Sequence, residues 1–174
     1  MYRIVHTGLG RDEERIEADA VLTADDFTRI ARDLVRPIQR SRKVGYVAAR
    51  PAREGEVVVT RSETRNTAHT GDWIVTNLSP QRQPLLDGQG RLDTYVITAA
   101  KFPSLYEETG ESGEHGAVHR AKGVVDAVWL PGGLDIAAPW GERQQVPSGY
   151  LILNGQEVYG SSAEAFRATY EPAV

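Results

Sequence analysis

Apolar residues change their spacing several times along this chain, and the changes divide it. Tyr2 to His6 is apolar and strand-prone, and Gly8 and Gly10 end it. Arg11 to Asp19 is charged and reads as solvated. Phe27, Ile30, Ala31, Leu34 and Val35 then recur at the spacing of one helix face. Thr23 offers a cap, Asp25 and Asp26 put negative charge in the first turn, and Pro37 predicts an end near Arg36. From Val44 the pattern becomes strand-like. Val44–Ala49, Glu56–Thr60, Trp73–Thr76, Asp93–Ile97, Gly123–Leu130 and Leu134–Ala138 are short apolar runs bounded by Gly, Pro or polar residues. Thr98–Glu107 predicts a short helix disturbed by Pro103. Tyr150–Leu153 and Gln156–Tyr159 predict a hairpin across Asn154-Gly155, and Ser161 or Ser162 caps a closing helix over 163–170. Pro80–Arg91, with Gly88 and Gly90, predicts an exposed loop.

One stretch recurs. Thr70-Gly71-Asp72-Trp73-Ile74-Val75-Thr76-Asn77 returns, altered, as Ser148-Gly149-Tyr150-Leu151-Ile152-Leu153-Asn154. Downstream, Tyr95, Phe102, Tyr106 and Glu107 match Tyr159, Phe166, Tyr170 and Glu171 at one constant offset. The expectation is an internal duplication. Residues 1–43 would be an N-terminal strand and helix packed on the rest, 44–108 a first unit, 109–123 a Gly- and Glu-rich linker, and 124–174 a second unit. Each unit alone buries too little to be stable, so both belong to one compact domain.

The turn–aromatic–apolar–Asn motif, followed by Phe-x-x-x-Tyr-Glu, resembles the PGDYG family of small bacterial and phage proteins. Gly71, Asp72 and Trp73 carry the likeness in the first copy, and Gly149, Tyr150, Phe166, Tyr170, Glu171 and Pro172 in the second. Thr70 stands where the motif has Pro, and Ile74 where it has its last Gly. The resemblance implies a fold unit and no activity.

Composition narrows the function only by exclusion. The chain has 174 residues, a net charge of -4 and no cysteine. It therefore offers no disulfide, thiolate ligand or Cys nucleophile. The acidic balance argues against a dedicated nucleic-acid binder, although Arg29, Arg32, Arg36, Arg40, Arg42 and Lys43 form a local basic run. The first residues lack the apolar core of a signal peptide, and no window is apolar enough to cross a membrane, so a cytoplasmic protein is expected. Nearly all of the 20 basic residues are arginine, which fits a GC-rich bacterial source.

Candidate chemistry concentrates before the first motif. Arg61, Glu63, Arg65, Asn66 and His69, then Asp72 in the turn, form the densest polar stretch outside a helix face. Such residues bind an anionic or carbonyl ligand, with Trp140 and Arg143 facing them from the second copy. The alternative is an edge strand held by ion pairs. Catalysis would use Glu63 or His69 as general base, with Arg61 and Arg65 stabilising negative charge. His115 and His119 sit four apart, but Gly113 and Gly116 oppose the helix that a zinc pair needs, and no metal or other cofactor is expected.

The expected fold is α+β and β-rich: two similar halves of short antiparallel strands, each closed by a short helix, plus an N-terminal amphipathic helix. The expected function is a binding module for a small polar or anionic ligand, a nucleotide included, or for a partner protein. A small-molecule enzyme and a self-associating, homo-oligomeric structural subunit are the alternatives.

Overall fold

The computed structural model describes residues 1–8, 10, 13–60, 65–139 and 141–173. In chain order come β1 (Tyr2–His6), β2 (Glu14–Ala18), α1 (Ala24–Asp33) and β3 (Gln39–Lys43). Next come β4 (Tyr46–Pro51), β5 (Val57–Val59), β6 (Arg65–Thr67), β7 (Trp73–Leu78), β8 (Thr94–Ile97), α2 (Phe102–Leu105), β9 (Tyr106–Gly113) and β10 (Gly116–Ala121). The chain closes with β11 (Val124–Leu130), β12 (Leu134–Ala137), β13 (Arg143–Val146), β14 (Gly149–Asn154), β15 (Glu157–Ser162), α3 (Ala163–Thr169) and β16 (Tyr170–Pro172). These elements form two compact units, Val44–Gly123 and a discontinuous one of Met1–Lys43 with Val124–Val174.

This architecture corrects the expected fold class. Among the described residues 51% are strand and 13% helix, in four sheets with three short helices. No amphipathic helix opens the chain: two strands come first, and the first helix starts at residue 24. The units are not consecutive halves, because the discontinuous one takes residues from both ends of the chain. Nor is all pairing antiparallel, since β2 and β12 run parallel. Residues 109–123, expected as a linker, form the end of β9 and all of β10.

In the discontinuous unit, α1 begins where Thr23 Oγ1 accepts from the Asp26 amide at 3.1 Å and Asp26 accepts from the Thr23 amide at 2.9 Å. This reciprocal pair satisfies two donors at the helix start. The helix ends earlier than Pro37 predicts. Val35 N–H donates to Arg32 O and Arg36 N–H to Ala31 O, a turn that places Val35 at φ 52. Phe27, Ile30, Ala31 and Leu34 then pack with Ile16, Ala18, Val128, Leu130, Leu134, Ile136, Leu151 and Val158. Val125, Ala127, Tyr150, Ile152 and Phe166 form a second cluster. Alternation along β11 and β14 sends successive side chains into one cluster and then the other. Both strands are therefore buried on two faces and read as continuous apolar runs. Each fully buried Leu, Ile, Val or Phe contributes roughly 1.5–3 kcal/mol.

The five-stranded sheet of this unit has the order β15-β14-β11-β3-β16, beside a four-stranded sheet β1-β2-β12-β13. Unit 44–123 holds a five-stranded sheet of order β8-β7-β4-β10-β9 and the hairpin β5-β6. Its core is Val47, Ala49, Val75, Phe102, Tyr106 and Ala121, with Trp73 stacked on Phe102 at 4.3 Å. Pro103 lies in the first turn of α2 and so starts this helix, where its missing N–H costs nothing. The hairpin turn after β14 is Gly155-Gln156, one residue later than expected, with Asn154 opposite Glu157 and Gly155 at φ 63.

Candidate functional site

The polar run before Trp73 is built as a locked turn. Arg61 and Glu63 lie outside the described residues, as does Trp140. Arg65 and Asn66 stand on β6, opposite Val59 and Val58 of β5. After β6 the backbone turns. His69 N–H donates to Asp72 Oδ2 at 2.9 Å, and Asp72 N–H returns a bond to His69 O at 2.9 Å. Glu54 braces the same turn. Its Oε1 lies 3.0 Å from His69 Nδ1, and its Oε2 accepts from Thr70 N–H at 2.7 Å. The bond to His69 and then the Thr70 amide pull the Glu54 carboxyl down to about 2. The same contact raises the His69 pKa. One step away, Glu56 accepts from both terminal nitrogens of Arg50 and from the Arg53 amide, and is likewise held at about 2. Asp72 therefore caps its own turn. His69, Glu54 and Asp72 share one turn, while Arg65 and Asn66 belong to the hairpin strand. None of these five lines the grooves among Ala48, Leu78 and Val118, beside Leu134 and Val146, or beside Val124 and Leu153.

Arg143 lies on β13 of the discontinuous unit, with its Nε 2.6 Å from Asp135 and a terminal nitrogen 3.2 Å from Asp19. Its charge is answered locally. The basic run is similarly divided. Arg32 is 3.5 Å from Asp33, Arg40 is 3.2 Å from Asp126, and Arg42 pairs with Glu171. Arg29 is exposed on α1, and Arg36 and Lys43 follow. Such pairing removes much of the field that a phosphate backbone would meet.

What the sequence did not reveal is a groove in unit 44–123. It holds about 240 Å³. Ala48 of β4, Leu78 of β7, Val118 of β10 and Pro84 give it apolar walls, and Arg82, Gln83, Glu114 and His115 add polar groups. The Pro80–Arg91 segment beside it is held by its own hydrogen bonds. Ser79 Oγ accepts from the Gln81 and Gln83 amides at 3.2 and 3.1 Å. Buried Asp87 accepts from the Gln89 amide at 2.8 Å and from the Arg91 amide and Nε at 3.0 and 2.9 Å. Arg82 adopts φ 64, sets its guanidinium 3.7 Å from the centre of the Tyr46 ring, and lies 3.4 Å from Glu111. A non-glycine residue at positive φ is uncommon outside sites where the surroundings impose it. The loop's length was a legible signal; the conformation of Arg82 had none.

Two further grooves lie in the discontinuous unit. One, of about 250 Å³, is lined by Arg15, Leu134, Asp135, Gln145, Val146 and Pro147. The other, of about 220 Å³, is lined by Arg40, Val124, Val125, Asp126, Leu153 and Gly155. Their polar groups are already engaged: Arg15 Nε donates to Gly132 O at 3.3 Å, Asp135 binds Arg143, and Arg40 pairs with Asp126.

The two linker histidines part company. His115 is at the groove, while His119 is 4% exposed, with its Nδ1 2.9 Å from Ala117 O and its ring 5.0 Å from Phe102. Among the described residues there is no group of three or more His, Asp or Glu arranged to hold a metal ion, and no helix is long and apolar enough to cross a membrane. No protein-family model, no curated protein and no solved structure matches this chain.

Proposed function

We propose that the chain is a non-catalytic binding module whose ligand occupies the groove between the 79–91 loop and the sheet of unit 44–123. One observation carries the reading: an apolar floor from three neighbouring strands meets Arg82, Gln83 and His115 beneath a loop already ordered by Ser79 and Asp87. Preorganised loops bind with less entropic cost than mobile ones. The groove, about 240 Å³, falls below the range of roughly 300–1,000 Å³ usual for drug-sized ligands. A single-ring or short-chain carboxylate therefore fits better than a nucleotide. The apolar wall takes its body, and its carboxylate would displace Glu111 from the Arg82 guanidinium. The enzyme alternative has less support, because His69 is engaged by Glu54 in an exposed turn. The shared order of elements in the two five-stranded sheets supports two copies of one repeated unit, and the PGDYG likeness of Gly71 to Trp73 describes that unit without giving it an activity.

A thermal-shift series with benzoate, hexanoate and adenosine monophosphate tests the reading. Benzoate or hexanoate is expected to raise the melting temperature of the wild-type chain and not of Arg82→Ala, since ligand that binds only the native state stabilises it. No shift with any of the three, or equal shifts in Arg82→Ala, refutes it.

A further inference from the structure

Two strands sit away from the elements that follow them. β3 ends at Lys43 and β4 begins at Tyr46, yet β3 lies between β11 and β16. β10 ends at Ala121 and β11 begins at Val124, yet β10 lies between β4 and β9. The two links are Val44-Gly45 and Lys122-Gly123, and their glycines take nearly the same left-handed conformation, φ 109 and φ 113. Under the repeat reading proposed above, each leading strand therefore lies in the sheet of the other copy.

The two slots use one set of contacts. Arg42 lies opposite Val124 and Glu171, and Arg120 lies opposite Tyr46 and Glu107. Each arginine forms an ion pair with that glutamate. One residue earlier, Ser41 faces Val125 and His119 faces Val47. These inner positions differ in size. His119 sits edge-on to Trp73 at 6.3 Å and to Phe102 at 5.0 Å, so its slot is shaped for a ring. Ser41 is 0% exposed, in a slot that takes a small side chain. Main-chain pairing supplies attraction, and this size match selects the strand.

We propose that the slot between β11 and β16 also accepts β3 of a second copy of the chain, giving a strand-exchanged dimer when the protein folds at high concentration; β10 stays at home, because a two-residue turn ties it to β9 in its own slot. The contacts in this slot are the same whichever chain supplies β3. Only effective concentration favours the strand of the same chain. A two-residue link that must carry a strand out of its own sheet is the kind of hinge from which domain swapping starts.

The chain has no cysteine, so two introduced thiols report without interference. Ser41→Cys and Val125→Cys full-length variants are mixed, unfolded in urea and refolded together over a series of protein concentrations. Directly opposed residues of antiparallel strands lie within disulfide reach. The expected result is a disulfide-linked dimer of one chain of each kind, at a yield that rises with concentration. The double variant in a single chain should close the same bond internally. Wild-type protein refolded alongside should show a dimer by size exclusion that persists on dilution, a readout independent of both substitutions. Monomer alone in the mixture and in the wild type overturns the proposal. A double variant that folds without closing its bond overturns it too, because it places β3 outside the slot.

Discussion

The sheets of β4 and β11 run through the same order of elements and differ at the centre. In one, the inner position of the exchanged strand is His119, packed against two aromatic rings. In the other it is Ser41, fully buried, whose hydroxyl has no hydrogen-bond partner among the described residues. The aromatic neighbours differ in step. Trp73 stacks on Phe102 at 4.3 Å beside His119, while Tyr150 stacks on Phe166 at 4.0 Å and Phe166 on Tyr170 at 4.8 Å. Where the strand brings a ring, it joins the aromatic stack. Where it brings a small residue, the stack closes on itself. One arrangement of strands thus carries two different cores.

Breaking the stacks should give the largest effects. Phe102→Ala and Phe166→Ala, both almost fully buried, should each cost about 3–5 kcal/mol in urea unfolding. A large loss at only one of them would end the comparison between the sheets. His119→Ser, which installs the residue type of the other slot, should cost on the order of 2–4 kcal/mol, because it empties a ring-sized space. Ser41→Ala should act in the opposite direction and raise stability by about 1 kcal/mol, since a buried hydroxyl without a partner costs roughly 1–3 kcal/mol. A destabilised Ser41→Ala chain would show that the hydroxyl is satisfied in solution.

Away from the sheets, Val35→Gly should stabilise by about 1 kcal/mol. Val35 holds a left-handed conformation where a β-branched residue is strained, and it is 66% exposed, so little apolar burial is lost. The smallest effect concerns pH. The His69 pKa is raised, so its contribution is whole below the ordinary value of 6.5 and fades as pH rises through the raised one. Glu54 is held down to about 2, so its contribution is whole above 4.5 and is lost as pH falls toward 2. The turn should be tightest between these ordinary values. Both side chains are largely exposed, so the change belongs to a proton titration and not to a melting curve. His69 should titrate above 6.5 by NMR and move back toward 6.5 in Glu54→Gln.

Local signals in the sequence were informative where one element decides its own form. Thr23 with Asp26 starts α1, and Ser162 accepts from the Ala165 amide at the start of α3. They failed where distant strands decide. Glu- and Gly-rich residues 109–113 and the histidine-bearing 116–121 lack a strand composition, yet they pair because β4 offers β10 a neighbour. Polar Gln39-Arg40-Ser41-Arg42-Lys43 becomes an inner strand for the same reason, with its arginines satisfied by Asp126 and Glu171. The groove was invisible for a related cause. Ala48, Leu78 and Val118 come from three strands and meet only after pairing.

The central claim is that β3 and β10 each lie in the sheet of the other's successor. Cross-strand proton contacts in the NMR spectrum of the intact chain test it most directly. The account predicts contacts between Ser41 and Val125 and between His119 and Val47. Contacts between Ser41 and Val47, and between His119 and Val125, would contradict it, because they would mean that each strand had folded back onto its own sheet.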